Sequence, residues 1–254
     1  MSKTARRTST RSAKEARGEG RQVSEKFLAE RKDKINNSPL KPMNELQAEY
    51  IRLIRDKTLI LATGYPGTSK TYIPTVMACD QYALAEINKI YLIRPPVSKS
   101  KSLGYWSGSL EEKAANWLGE SLAIIKERLG DSFEVALKHG DLEFIPLEVL
   151  KGRSLKNCFV LVDEAEDITI EEARKLVTRI GENCTMVLSG DIGQVDLPTK
   201  SGLRFLKEVA EKNPELEVST GLVDFNRPSD IVRSDVCRNW TMALVREGIG
   251  GLND

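Results

Sequence analysis

Two patterns of apolar residues alternate along most of the chain. Short runs rich in β-branched residues are separated by longer segments in which apolar residues recur every three or four positions. The short runs predict strands at 57–63, 90–94, 142–146, 157–162, 185–189 and 216–220. The longer segments predict helices at 44–55, 70–88, 109–129, 170–180, 201–212 and 229–247. This alternation predicts an α/β fold with a mainly parallel sheet covered by helices on both faces.

The loop after the first strand has the character of a phosphate-binding loop. Its residues are Gly64, Tyr65, Pro66, Gly67, Thr68, Ser69, Lys70 and Thr71. In the pattern G-x-x-x-x-G-K-[ST], backbone N–H groups and the following helix N-terminus bind phosphates. Lys70 would reach the β- and γ-phosphates of a nucleoside triphosphate, and the Thr71 hydroxyl would bind Mg²⁺. The alternative is a tight strand-to-helix turn that binds no ligand.

Ser69 stands where the phosphate-loop pattern has its last glycine. Glycine permits backbone angles and a close approach that a Cβ atom hinders. Because serine is small and carries a hydroxyl donor, we expect weakened or altered phosphate binding at this position rather than none.

An acidic pair follows the apolar run Cys158–Val162. Asp163 and Glu164 come directly after this run, at the edge of an open α/β sheet where ligands bind. Asp163 would complete the Mg²⁺ coordination shell, and Glu164 would orient or deprotonate an attacking water. The alternative is an exposed acidic turn that caps the next helix, and the upstream phosphate loop favours the magnesium interpretation.

A third polar strand end lies in the segment TMVLSGDIGQVDLP, residues 185–198. A polar side chain beside the phosphate-loop strand can contact the γ-phosphate and distinguish ATP from ADP. Gln194 is the candidate for this contact, and an ordinary turn residue is the equally weighted alternative.

Five stretches of the chain resemble the PhoH family of ATPases, which is related to the ATPase core of superfamily 1 helicases. They are GYPGTSKT (64–71), RPPVSKSKSLGYWSGSLEEK (94–113), IPLEVLKGRSLKNCFVLVDEAED (145–167), LVTRIGENCTMVLSGDIGQVDLPTKSGL (176–203) and DFNRPSDIVRSD (224–235). The resemblance implies a RecA-like P-loop NTPase domain over residues 43–254. It also implies binding and hydrolysis of ATP with Mg²⁺, assembly into a homo-oligomeric ring that is hexameric in relatives, and helicase-like action on RNA or single-stranded DNA.

Two further residues acquire candidate roles from this resemblance. Gln47 lies upstream of the loop, at the distance where helicase relatives carry a glutamine that reads adenine; the alternative is an ordinary helix-surface glutamine. The chain is too short for a second RecA-like lobe, so a neighbouring subunit would supply the arginine that neutralises the γ-phosphate. The resemblance favours Arg233 for this catalytic role, ahead of Arg227 and Arg179, and a surface ion pair is its alternative.

The segment after the second strand mixes basic and aromatic side chains, which can grip a nucleic-acid backbone and stack on bases. The alternative is a surface loop whose aromatic residues pack at a subunit contact. The nucleic-acid candidates are Arg94, Lys99, Lys101, Tyr105 and Trp106.

Charge is distributed unevenly along this nearly neutral chain. Residues 1–42 contain 12 Lys/Arg and 5 Asp/Glu, whereas residues 43–254 contain 26 and 32. The first 42 residues therefore form a basic tail and linker, expected to be largely disordered, that would either tether nucleic acid through its phosphates or only solubilise the chain. The four scattered cysteines indicate a reducing, cytoplasmic location. No apolar run is long enough to span a membrane, so we expect no membrane among the partners.

Two other functions remain open at this point. A nucleotide-dependent assembly module with little hydrolysis is kept open by Ser69. A small-molecule P-loop kinase would need an acceptor pocket, and the acidic strand end with the GDIGQ segment fits a motor-type ATPase better.

Overall fold

All the strands of the sheet run parallel. The computed structural model describes residue 36 and residues 38–95, 119–147, 153–193 and 200–249. Within these ranges there is one six-stranded sheet with the order β3-β2-β4-β5-β1-β6. The strands are β1 (Leu59–Gly64), β2 (Lys89–Ile93), β3 (Leu142–Phe144), β4 (Cys158–Val162), β5 (Cys184–Gly190) and β6 (Thr220–Phe225).

Seven α-helices connect and cover these strands in the described residues. They are α1 (Glu45–Asp56), α2 (Tyr72–Ala83), α3 (Gly119–Leu129), α4 (Ser132–His139), α5 (Ile170–Val177), α6 (Gly202–Lys212) and α7 (Asp235–Arg246). Short 3₁₀ turns span Ala165–Asp167, Pro214–Val218 and Pro228–Asp230. No helix in these ranges is long and apolar enough to span a bilayer.

The sheet separates two hydrophobic cores, because alternate residues of each strand point to opposite faces. On one face Ile60, Leu92 and Phe159 pack with helices α1 to α4. On the other face Leu61, Val160 and Met186 pack with α5 and α6. Strands buried on both faces consist of consecutive apolar residues, and this explains why every residue of β4 is apolar. The predicted parallel α/β fold with helices on both faces is confirmed.

Several predicted boundaries were wrong. The segment predicted as a strand at 216–220 is largely a 3₁₀ turn that begins at Pro214, and the sixth strand starts at Thr220. The final helix begins at Asp235 rather than at 229. The first helix after the loop ends at Ala83, and α4 was not predicted at all.

Part of the predicted linker packs against the domain. The Arg128 guanidinium makes two hydrogen bonds to Asp80, of 2.7 and 2.9 Å, and donates a third to the Ser38 carbonyl oxygen at 2.6 Å. Leu40 packs against the core. Ser38 and Leu40 of the predicted linker thus contact the domain, while residues 1–35 and 37 of the predicted tail lie outside the described ranges.

Candidate nucleotide-binding site

A cleft of about 550 Å³ opens where β1, β4 and β5 end. Because carboxyl ends of parallel strands meet at one edge of the sheet, residues far apart in sequence line the cleft together. These include loop residues 66–71, the acidic residues Asp163, Glu164, Glu166 and Asp191, and Arg233. Met43, Tyr72 and Glu120 complete part of its wall.

Two glycines of the loop have positive φ angles, which residues with a Cβ atom rarely adopt. Gly64 has a φ of +128°, and a Cβ atom there would lie 2.2 Å from the Phe225 carbonyl oxygen. Gly67 has a φ of +75°, and a Cβ there would lie 3.0 Å from the Arg233 Cβ. The two glycines therefore allow β6 and the segment after it to approach the loop closely.

Ser69 also adopts a left-handed backbone conformation, with a φ of +71°. This conformation costs an ordinary L-residue about 1–2 kcal/mol, which glycine avoids. The loop thus keeps the backbone path of a glycine at this position, and the serine side chain lines the cleft.

Helix α1 holds the loop from behind. The Gln47 side-chain amide donates to the Thr68 carbonyl oxygen at 3.2 Å, and its oxygen accepts from the Met43 N–H at 2.8 Å. The Tyr50 hydroxyl donates to the Lys70 carbonyl oxygen at 3.0 Å. Gln47 is only 2% exposed, so it is not an ordinary surface glutamine. The adenine contact proposed for Gln47 stays a prediction.

The Lys70 ammonium group lies inside the loop. It donates to the carbonyl oxygens of Gly64 and Tyr65, both at 2.6 Å. Burial lowers the pKa of Lys70, and the nearby Asp191 carboxylate opposes this shift. A lysine ammonium group in a loop that leads into a helix N-terminus is suited to binding phosphate oxygens.

A hydrogen bond joins the phosphate loop to the acidic strand end. The Thr71 hydroxyl donates to Asp163 Oδ1 at 2.9 Å, across 92 residues of sequence. The Ser189 hydroxyl lies 3.4 Å from the same oxygen. The Thr71 hydroxyl and the Asp163 carboxylate thus lie side by side at the phosphate loop. This pair suits Mg²⁺, which usually takes one or two protein ligands together with phosphate oxygens and water.

Carboxyl groups are concentrated on this side of the cleft. Burial raises the pKa of Asp163, and the neighbouring Glu164 carboxylate adds to the effect. Burial and the same neighbour raise the pKa of Glu166 to about 9. Glu166 fits only because residue 190 is glycine, since a Cβ there would lie 2.1 Å from Glu166 Oε2. A bound cation would relieve the repulsion among these carboxylates.

Glu164 occupies a sharp turn at the cleft rim. Its φ is +51°, and its side chain is 44% exposed and forms a 2.8 Å ion pair with Arg94. The following helix is capped by Thr169, so the acidic pair does not serve as that cap. Arg94 was predicted as a nucleic-acid contact. In the structure its guanidinium contacts the carboxylate of Glu164, the candidate general base.

Arg233 lies beside the loop of its own chain. Its backbone N–H donates to the Gly67 carbonyl oxygen at 3.2 Å, and its side chain contacts Glu120 at 3.4 Å. The side chain is 61% exposed and lines the cleft. Arg233 therefore lines the cleft of its own chain, and its donation between subunits, expected from the sequence, stays a prediction.

The structure brings together most of the predicted site. Lys70, Thr71, Asp163 and Glu164 line one cleft with Arg233, and Gln47 packs behind the loop. Five candidates lie outside the described residues and keep their predicted roles untested: Lys99, Lys101, Tyr105, Trp106 and Gln194.

Three contributions were missed from the sequence. Tyr50 supports the loop, Glu166 packs under the acidic edge, and Arg94 binds Glu164. Only Arg94 had a usable signal, because it directly follows a strand and polar residues at neighbouring strand ends meet. Tyr50 and Glu166 look like ordinary helix and turn residues in the sequence.

A parallel sheet with this loop after its first strand is the fold of a P-loop NTPase. Residues 39–244 match the model of the family described as PhoH-like protein, and the chain belongs to this family, which is of the P-loop ATPase type. It is 33% identical to Protein PhoH of Escherichia coli K12 over 210 residues, covering 82% of this chain and 58% of that protein.

Two more relatives extend the comparison. Over 166 residues the chain is 36% identical to a PhoH-like protein of Bacillus subtilis, covering 64% of this chain and 52% of the relative. Over 183 residues it is 28% identical to a PhoH-like protein of Mycobacterium bovis, covering 71% and 52%. The chain thus spans little more than half the length of these relatives.

Proposed function

We propose that this protein is an ATPase that hydrolyses ATP in the cleft described above. The observation that carries the proposal is the 2.9 Å hydrogen bond from Thr71 to Asp163, because it joins the phosphate loop to the acidic strand end. A turn without a ligand would not need a buried carboxylate whose pKa is raised by its surroundings.

Each residue has a defined task in this proposal. The loop N–H groups and Lys70 bind the β- and γ-phosphates, while Thr71 and Asp163 hold Mg²⁺. The bound magnesium supplies charge neutralisation for the phosphates. Glu164 accepts a proton from the attacking water, and its partial exposure at the cleft rim gives water access to its carboxylate. Gln47 would read the adenine only by exchanging its present bonds to Thr68 and Met43, and Gln194 would report the γ-phosphate.

Arg233 completes the charge balance around the γ-phosphate. Its backbone bond to Gly67 fixes it beside the phosphate loop, and its exposed guanidinium is free to exchange Glu120 for a phosphate oxygen. The Glu120 pair is weak because both side chains are largely solvated. We therefore propose that Arg233 acts within its own chain.

The proposed wider activity is ATP-driven remodelling of RNA or single-stranded DNA by a homo-oligomeric, hexameric ring. Its support is the resemblance to helicase-related ATPases, the basic tail and the basic-aromatic segment after β2. Proteins that bind single strands combine cationic grooves with aromatic stacking surfaces in this way.

The test of the ATPase is phosphate release without any added acceptor, followed by titration with single-stranded RNA and DNA. We expect Mg²⁺-dependent release that rises with nucleic acid, and a mass corresponding to a closed ring. Glu164→Gln should bind ATP but lose turnover by about 10²-fold or more, since general-base catalysis contributes about 10²–10⁴-fold. ATP binding with equal inactivity of the wild type and Glu164→Gln would favour the assembly module. Turnover that requires an acceptor would favour the kinase.

A mixing experiment tests which chain uses Arg233. Arg233→Ala should keep ATP binding and lose turnover. Mixing it with Glu164→Gln subunits should restore nothing, because each defective cleft lacks a residue of its own chain. Recovery of activity in the mixture would instead show that the arginine is donated between subunits.

A further inference from the structure

Glu164 needs an external support to serve as a base. It sits at a left-handed turn after β4, and its side chain projects to the cleft rim with nearly half of its surface in solvent. A glutamate with three side-chain torsions in such a position samples many directions. Efficient proton abstraction requires the carboxylate to hold one geometry relative to the attacking water.

Arg94 is placed to give this support. It directly follows β2, and β2 pairs with β4 in a register that sets Ile93 beside Val162. The Asp163 N–H donates to the Ile93 carbonyl oxygen at 3.0 Å, which extends this pairing to the acidic end of β4. Arg94 Nη2 then donates to Glu164 Oε1 at 2.8 Å. The guanidinium is thus anchored on the strand next to the one that carries the base.

We propose that Arg94 is a positioning residue that fixes the Glu164 carboxylate for attack by water. This inference rests on the proposed ATPase activity and deepens it. Arg94 contacts the base and not the reacting atoms, and it acts from the same chain. The sequence-based expectation that Arg94 binds nucleic acid is the alternative, and the test below separates the two roles.

The solvent exposure of the Arg94–Glu164 ion pair favours a role in the rate of hydrolysis over a role in folding stability. The side chains of Arg94 and Glu164 are 25% and 44% exposed, so the pair is well screened and contributes little to folding. Misplacement of a catalytic group by about 1 Å, in contrast, can reduce the rate by about 10²-fold. Loss of Arg94 should therefore reduce kcat strongly and stability only slightly.

The test measures phosphate release by Arg94→Ala, Arg94→Lys and the wild type in the absence of nucleic acid. We expect kcat of Arg94→Ala to fall about 10- to 100-fold with little change in KM for ATP and in Tm. Arg94→Lys should recover part of kcat, because it keeps the charge and loses the planar fork. Arg153→Ala is the matched control, since Arg153 forms a similar 2.7 Å pair with Glu143 and does not line the cleft.

A double-mutant comparison makes the assignment specific. In a Glu164→Gln background, Arg94→Ala should cause no further loss of kcat, because the group that Arg94 positions is already disabled. An additive loss would overturn the proposal. Unchanged or higher kcat in Arg94→Ala would overturn it too. A large fall in the Tm of Arg94→Ala would also overturn it, because it would show that Arg94 stabilises the fold. If only the RNA concentration for half-maximal stimulation changed, Arg94 would be a nucleic-acid contact.

The outcome for the wild type keeps the two proposals distinguishable. A wild type that releases no phosphate under any condition would refute the ATPase and this inference with it. A wild type that turns over while Arg94→Ala matches it would refute the inference alone.

Discussion

The two halves of the cleft are stabilised in different ways. The phosphate loop is held by hydrogen bonds to neutral groups: Lys70 bonds to carbonyl oxygens of the loop, and Gln47 and Tyr50 hold it from α1. The acidic edge instead gathers Asp163 and Glu166 in a buried setting that raises the pKa of each.

The two halves of the cleft therefore differ in how far their stability depends on the charge of a bound ligand. The loop is held by the side chains of Lys70, Gln47 and Tyr50, and none of these bonds needs a bound ligand. The acidic edge disfavours the charged forms of its closely spaced carboxyl groups, and a divalent cation would favour those forms. We therefore expect mutations in the loop to change phosphate affinity and turnover, and mutations in the acidic edge to change stability in a manner that depends on pH.

The largest expected effect is that of Lys70→Ala. Turnover should fall by at least about 10²-fold, because the γ-phosphate loses a charged partner aimed at it. Phosphate release with saturating ATP measures this. The matched control is Lys57→Ala, because the Lys57 ammonium bonds to the Glu217 carbonyl oxygen outside the cleft. Near-normal turnover in Lys70→Ala would refute the loop as the phosphate site.

The acidic edge should reveal itself in the pH dependence of stability. The folded protein keeps a proton on Glu166 up to a pKa of about 9, whereas the unfolded chain releases it near pH 4. The unfolded state binds fewer protons between these values, so the free energy of unfolding falls as pH rises through this window.

Glu166→Gln removes this dependence. We expect the variant to exceed the wild type in stability by about 2 kcal/mol or more at pH 8, and by much less at pH 5. Chemical denaturation at both pH values measures it. Glu171→Gln, at an exposed site on α5, should leave the slope almost unchanged. Parallel stability curves for the wild type and Glu166→Gln would contradict this account of the acidic edge.

Tyr50→Phe tests the support of the loop by α1. Loss of the bond to the Lys70 carbonyl oxygen should reduce stability by about 1–2 kcal/mol and weaken ATP binding by a few-fold. Tyr82→Phe is a matched control, since Tyr82 is equally buried and its hydroxyl donates to Asp141 at 2.7 Å. Both variants should lose stability, and only Tyr50→Phe should lose ATP affinity. An equal affinity in the two variants would show that this bond does not shape the loop.

The smallest expected effect is that of Ser69→Gly. Glycine removes the left-handed backbone penalty, and its freedom in the unfolded chain offsets part of the gain. We expect stability to rise by no more than about 1 kcal/mol, with ATP affinity equal or tighter. Ser69→Ala keeps a Cβ atom and should not stabilise the protein. Thermal unfolding and nucleotide titration measure both variants, and destabilisation by glycine would contradict the strain at residue 69.

The fold was predictable where hydrophobic periodicity is strong. The prediction failed where tertiary contacts determine the secondary structure. Strand β6 contains Gly221, where a Cβ atom would lie 3.2 Å from Leu53 Cβ of α1, and Asp224, which accepts from Lys207 at 2.7 Å. Neither residue favours a strand by itself, so pairing with β1 decides the conformation. Helix α4 was missed because Gly130 does end α3, and the chain starts a second helix two residues later.

The site was predictable to the extent that it follows from local motifs. Lys70 and Asp163 were identified because each occupies a recognisable position after a strand. The pairing of Arg94 with Glu164 depends on β2 lying next to β4, and the strand order is not written in any local pattern. The burial of Glu166 likewise depends on the 3₁₀ turn that folds it toward Gly190.

The most direct test of the central claim is the magnesium dependence of ATP affinity, measured by calorimetry for the wild type and for Asp163→Asn. The account predicts that Mg²⁺ tightens ATP binding to the wild type, and that most of this gain is lost in Asp163→Asn while binding without Mg²⁺ persists. No heat of ATP binding by the wild type, or an equal gain from Mg²⁺ in both proteins, would contradict a nucleotide site shared by the loop and the acidic strand end.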